Sequence, residues 1–222
     1  MAFSGADAPQ LKLSPRFLFH VAAPCHQAEG VTGPVTLDEK YRLPDLATIE
    51  GVASFADVRV AWSEAGIAAS VRATGKERTP RCREQQLAES DGLHLWLNLR
   101  PGRDVHRATR FCTHFVFLPA GAGRQGDQPV VGQLLINRAK EQAPLVVSDE
   151  LQVKSKLTRD GYQLDVFIAG RALSGYAPAD NPQLGLTYLI RDQELGDQTW
   201  NVDSTFPFAE DPSLWGLLDL VK

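Results

Sequence analysis

Asp91-Gly-Leu-His-Leu-Trp-Leu-Asn-Leu-Arg100 alternates two chemistries without a break. Leu93, Leu95, Leu97 and Leu99 fall on one side of an extended strand, and His94, Trp96, Asn98 and Arg100 fall on the other, because side chains two apart share a face. A helix would scatter the leucines around its circumference, so the period predicts a strand with one face in a core, at the centre of a sheet. The second face carries an imidazole, an indole, an amide and a guanidinium, groups that stack and hydrogen-bond. Two readings stand for it: a binding surface, or a face covered by loops that Trp96 helps to hold.

The same period recurs on both sides of this stretch. From Arg110 to Leu118, Phe111, Thr113, Phe115 and Phe117 alternate with Cys112, His114, Val116 and Leu118, which predicts an antiparallel neighbour. Upstream, Asp57 to Trp62 and Ile67 to Ala73 flank a polar turn and read as a hairpin. Downstream, Leu151 to Leu157 and Tyr162 to Ile168 read as a second hairpin. Pro15 to Ala22 reads as an opening strand, Pro24 to Thr36 and Thr74 to Ser90 as loops, and Ala120 to Gln128 as a Gly-rich loop. Val130 to Ile136 and Gln183 to Arg191 are further strands. Arg171 to Leu173 turns helical briefly, Asp192 to Gln198 is a polar turn, and the tail from Asp211 to Val221 ends in an apolar strand.

About ten short strands with almost no helical period define an all-β chain, an antiparallel two-sheet β-sandwich. Residues 1–222 read as a single domain, with 1–50 as its N-terminal strand and loops. Its expected core contains Leu93, Leu95, Leu97, Leu99, Phe115, Phe117, Leu164, Val166 and Ile168, and Trp62 and Trp215 read as core or core-rim packing.

Composition narrows the function. A hydrophobic share of 43% and a charged share of 23% are those of a soluble globular chain, and a net charge of -4 with dispersed basic residues argues against nucleic acid or an anionic membrane as partner. No apolar run is long enough to span a bilayer. The opening Met-Ala-Phe-Ser-Gly-Ala-Asp-Ala-Pro lacks the basic and apolar parts of a secretory signal, so a cytoplasmic location is expected if Met1 is the natural start. Cys25, Cys82 and Cys112 are an odd number without metal-ligand spacing, which suits free thiols.

Catalytic and metal motifs are sparse. The histidines are His20, His26, His94, His106 and His114; Cys112 and His114 share a strand face, but no CxxC or HxxxH spacing completes a zinc set, and no metal ligand is assigned. Met1 is the only methionine and no Cys-x-x-Cys-His occurs, which argues against heme. Glu89, Asp91, Asp165 and Asp192 are the carboxylates that could converge for hydrolysis, although Asp91 and Asp192 sit where turns favour Asp. Gly121-Ala-Gly-Arg-Gln-Gly precedes no helix and is not a phosphate loop. The reading leans away from an enzyme and assigns no catalytic residue.

Several phrases, in order, resemble carbohydrate-binding module family 9 within the DOMON-like β-sandwiches. They are Asp57-Val-Arg-Val-Ala-Trp-Ser-Glu-Ala-Gly66, Ser90-Asp-Gly-Leu-His-Leu-Trp-Leu-Asn98, Gly161-Tyr-Gln-Leu-Asp-Val-Phe-Ile168, Gly185-Leu-Thr-Tyr-Leu-Ile-Arg-Asp192 and Asp211-Pro-Ser-Leu-Trp-Gly216. The resemblance covers the chain from about residue 52 onward. It implies a jelly-roll-like sandwich, a domain that binds the ends of sugar chains, frequent structural calcium and attachment to an enzyme. It also implies a sugar held between two tryptophans, but those places hold Leu87, Ala88 and Glu89 before the central strand, and Phe208 and Ala209 before the tail; His94 stands where the family has a carboxylate.

The expected ligand site is the face of His94, Trp96, Asn98 and Arg100, joined by His114 and Arg191 from adjacent strands and by Trp200 in its polar setting Gln198-Thr-Trp-Asn201. Such a surface suits a saccharide or a small polar or anionic ligand, the arginines offering bidentate contacts to a carboxylate or phosphate. An intracellular protein partner would use the same anchors, while a glycoside-acting enzyme or a heme-binding DOMON-like domain are the remaining alternatives.

Overall fold

The computed structural model describes residues 15–222, so the N-terminal stretch read as lacking a secretory signal lies outside the described residues, as does Met1. Eleven strands are present among the described residues: β1 (Ala22–His26), β2 (Ala56–Ser63), β3 (Gly66–Thr74), β4 (Gly92–Asn98), β5 (Cys112–Ala122), β6 (Gln128–Leu134), β7 (Leu151–Thr158), β8 (Gly161–Ala169), β9 (Gln183–Asp192), β10 (Gly196–Thr199) and β11 (Gly216–Val221). They build a seven-stranded sheet in the order β1-β11-β9-β4-β5-β6, with β10 also on β9, and a four-stranded sheet in the order β2-β3-β8-β7. All pairings are antiparallel except β1 with β11, where the first and last strands run parallel. The helical turns are short 3₁₀ segments.

The alternation in β4 places Leu93, Leu95 and Leu97 at 0% exposure between the sheets, with Leu99, Phe115 and Phe117 from the same sheet and Leu164, Val166 and Ile168 from β8 opposite. All nine expected core residues are in this cluster, as is Trp62. Strand β4 opens on Gly92, whose φ of 153° favours glycine and whose added Cβ would lie 2.4 Å from the Phe117 carbonyl oxygen. A side chain there would push the central strand off its neighbour.

Two boundaries differ from the sequence pattern. Pro15 to Ala22 is not a strand: Pro15–Leu18 is a 3₁₀ turn, and β1 begins only at Ala22 and runs through Pro24 into the passage read as loop. Within the sheet β1 pairs only with β11 as an edge strand, where the missing proline N–H is tolerated, whereas the apolar Leu18 and Phe19 are exposed. The Gly-rich loop is also shorter than expected, since β5 continues to Ala122 across an irregularity after Leu118 and β6 starts at Gln128. The polar turn after Asp192 contains the short strand β10, which folds back on β9. No helix among the described residues is long and apolar enough to cross a membrane.

Candidate functional site

The register of the seven-stranded sheet fixes what faces away from the core. Trp96 lies opposite His114 on β5 and Thr187 on β9, while His94 lies opposite Val116 and Leu189, so the histidines and the indole are neighbours on the outer face. The Trp96 and His114 rings stack at 3.9 Å and 15°, with His94 5.9 Å from the indole and 5.3 Å from His114. His94 Nδ1 and His114 Nε2 are 3.1 Å apart, a hydrogen bond in which one ring donates and the other accepts.

This group is covered. His94 and Trp96 are 2% exposed and His114 is 8% exposed. Burial, with the Arg191 charge adding to it, pushes the His94 pKa down to about 3; burial and then the neighbouring His94 hold His114 well below its usual value. Both rings are therefore neutral near pH 7. With one nitrogen of His94 engaged by His114, its Nε2 is buried without a partner, and so is Trp96 Nε1, an atom that only donates. Each such orphan costs about 1–3 kcal/mol.

Two coverings flank the pair. On the Trp96 side, Ala108, Ile136, Val202, Phe208 and Trp215 form a second apolar cluster, with Phe208 edge-on to Trp96 at 5.4 Å. Hydrogen bonds knit these loops: Arg107 donates to the Arg138 and Ala139 carbonyls, Asn137 to Glu210, and Trp215 Nε1 to the Phe208 carbonyl at 2.7 Å. On the other side Leu87 packs with Val116, Leu118 and Val130, and it seats on Gly132, where a Cβ would lie 2.4 Å from its methyl group. The short 3₁₀ turn Leu87–Glu89 thus rests directly on the sheet, with Ala88 and Glu89 exposed.

The loop bearing Leu87 is anchored by a buried ion cluster. Lys76 Nζ lies 2.5 Å from Asp192, 3.4 Å from Asp91 and 3.5 Å from Glu194, and the side chains of Lys76, Asp91 and Asp192 are at most 2% exposed. Burial alone would lower the Lys76 pKa, but the hydrogen bond and charge of Asp192, with Asp91, raise it overall. The carboxylates also accept backbone N–H groups: Asp91 from Arg81 and Gln193, Asp192 from Glu194 and Leu195, and Glu194 from Glu77 and Arg78.

These facts sort the expected residues. His94, Trp96 and His114 come together; Trp96 also holds the covering loops, so both readings of its face have a basis. Asn98 shares the face but accepts from the Arg100 N–H. Arg100 leaves it: beyond the end of β4, its guanidinium donates to the Leu99 and Gly175 carbonyls and lies over Phe111. Arg191 borders His94, where it donates to the Ala88 carbonyl and pairs with Asp197. Trp200 is a correction. Its ring is 1% exposed in the inter-sheet core, against Gly216, whose missing side chain makes room, and its Nε1 donates to the Pro44 carbonyl.

Of the four carboxylates, Asp91 and Asp192 converge only on Lys76, Asp165 accepts from Ser70, Thr36 and Gln163, and Glu89 stays exposed. Ser213, His106 and Asp211 also cluster, but His106 Nδ1 serves both partners, and Asp211 caps the turn Pro212–Leu214. A relay needs the two ring nitrogens in separate roles, so this cluster is structural. All three cysteines are free, and burial raises each thiol, Cys25 and Cys82 to about 12, which keeps them protonated.

Calcium does not fit the acidic cluster: an ammonium stands where a cation would, and the oxygens are committed to backbone N–H groups. Among the described residues no group of three or more His, Cys, Asp or Glu side chains is arranged to hold a metal ion.

No protein-family profile matches the sequence, and no curated protein matches it. Solved structures do. A family 9 carbohydrate-binding module from Caldicellulosiruptor kristjanssonii, in complex with cellotriose, superposes with a TM-score of 0.59 at 13% identity, covering 90% of this chain and 93% of that one. A family 9 module from the same organism in complex with glucose gives 0.57 at 12% identity, covering 90% and 96%. The fold is that of a family 9-like carbohydrate-binding module, a two-sheet β-sandwich.

Proposed function

We propose that the chain is a non-catalytic saccharide-binding domain, with its site on the outer face over His94, Trp96 and His114. The observation that carries this reading is the likeness over nine-tenths of the chain to modules solved with cellotriose and glucose. The orphaned nitrogens support this location, because sugar hydroxyls accept from an indole N–H and exchange hydrogen bonds with an imidazole while the ring stacks on aromatic surface. Leu87 and Phe208 pack over this face at the places where the resemblance implies tryptophans.

The ligand in this reading is neutral. Arg100 and Arg191 are engaged by carbonyls and Asp197, and the histidines are uncharged, so little is left to attract a carboxylate or phosphate. Because His94 and Trp96 are buried, binding displaces the turn Leu87–Glu89 from the sheet. Calorimetry with glucose, cellobiose and a panel of neutral and acidic oligosaccharides tests this. The expected result is binding of a neutral member that His94→Ala abolishes in a folded variant; binding only of acidic sugars, or of none, would overturn it.

A further inference from the structure

A cavity of about 240 Å³ lies on the same outer face, away from His94 and His114. Ala22, Leu217, Gly185 and Asn98 form one row across β1, β11, β9 and β4, and the first three floor the cavity. Ala22 and Gly185 are too small to fill the space above them. Trp215, Leu214, Val202 and Pro212 supply the walls, while Phe19, His20 and Arg103 also line it and are exposed.

Away from the exposed His20 the interior has little hydrogen-bonding capacity to spare. Asn201, its deeply buried amide, accepts from Thr187 at 2.9 Å and donates to the Leu214 carbonyl. Gln183 donates to Asp219, and Ser213 to Asp211. A sugar ring would lose its hydration there without replacement, which argues against another saccharide subsite. An apolar ring loses nothing of the kind, and a cavity of about 150 Å³ already accepts benzene, so this one has room for a ring with a short arm. At the mouth, Arg103 has no ion-pair partner among the described residues.

We infer that this cavity binds a small ring-bearing carboxylate, an aryl or cycloalkyl acid, with the ring against Trp215 and the carboxylate on the Arg103 guanidinium. The site lies beside the proposed saccharide site, whose covering shares Val202 and Trp215 with it, and its lining includes neither His94 nor Trp96. Calorimetry and ligand-observed NMR with 3-phenylpropionate and its neutral amide test the inference. The acid is expected to bind in the submillimolar range, and both Arg103→Gln and the change from acid to amide are expected to weaken binding roughly two- to fivefold, as for a partly exposed ion pair. Ala22→Leu and Leu217→Phe, which fill the cavity from two strands, are expected to abolish binding in proteins that melt as the wild type does. Absence of binding at millimolar acid, equal affinity for acid and amide, or binding that survives both filled variants would overturn the inference.

Discussion

The two faces of β4 are made by one alternating sequence yet are finished in different ways. Inward, Leu93, Leu95 and Leu97 meet the opposite sheet with no polar atom to satisfy. Outward, His94 and Trp96 are nearly as buried, but under loops, and each leaves a nitrogen without a partner. The inner face is not free of orphans either, since the Thr113 and Tyr162 hydroxyls are also buried without a partner. The outer face differs in leaving its orphans on two neighbouring rings, beneath loops rather than beneath a second sheet, and that difference marks it as the candidate site.

The largest effect is expected where the covering is pinned. Lys76→Met removes the ammonium and leaves Asp91 and Asp192 buried and repelling each other; breaking a buried ion cluster from one side costs about 3–5 kcal/mol. Urea denaturation should show this loss. A wild-type midpoint would mean that the cluster does not hold the Leu87 loop to the sheet. On the inner face Leu95→Ala is expected to cost about 2–5 kcal/mol, through lost transfer energy and the cavity left behind. The same measurement checks it, and a loss well under 1 kcal/mol would contradict the described core.

A pH-dependent effect belongs to the outer face. His94 and His114 have folded pKa values below the unfolded value near 6.5, so their contribution is fully present above about pH 6.5 and is lost as pH falls toward the folded values, where the unfolded chain takes up protons that the native chain refuses. Each contributes a slope of up to about 1.4 kcal/mol per pH unit in that window. Melting between about pH 7 and 5, above most carboxylate titration, should fall steeply for the wild type and more gently for His94→Gln/His114→Gln. Equal slopes would show that the histidines are not held neutral by burial. The smallest effect is expected from metal removal: with Lys76 as the internal cation, a chelator should leave the melting temperature unchanged, and a fall restored by calcium would contradict that assignment.

The sequence specified the inner face well because burial between two sheets leaves a strict period of two, from Leu93 to Leu99 and again from Leu164 to Ile168. The partnership of Trp96 with His114 was also legible, since both follow from strand parity. Other parts depend on contacts that no local pattern encodes. Trp200 looked polar because its neighbours are Thr199 and Asn201, but Gly216, distant in sequence, opens the core to it. Parity assigns Arg100 to the face, yet it lies past the end of β4, where parity no longer governs direction. Lys76 is a single lysine in a polar loop, and only the fold brings Asp91 and Asp192 to it.

The central claim is that the outer face is completed by a saccharide at His94. The most direct measurement is long-range ¹H–¹⁵N NMR of the histidine rings during titration with the best-bound neutral oligosaccharide, which reads the orphaned His94 Nε2 itself. The account predicts a saturable shift of His94 Nε2, with a smaller change at His114 through their hydrogen bond and with His20 and His106 unmoved. Saturable binding that leaves His94 and His114 unchanged would contradict it.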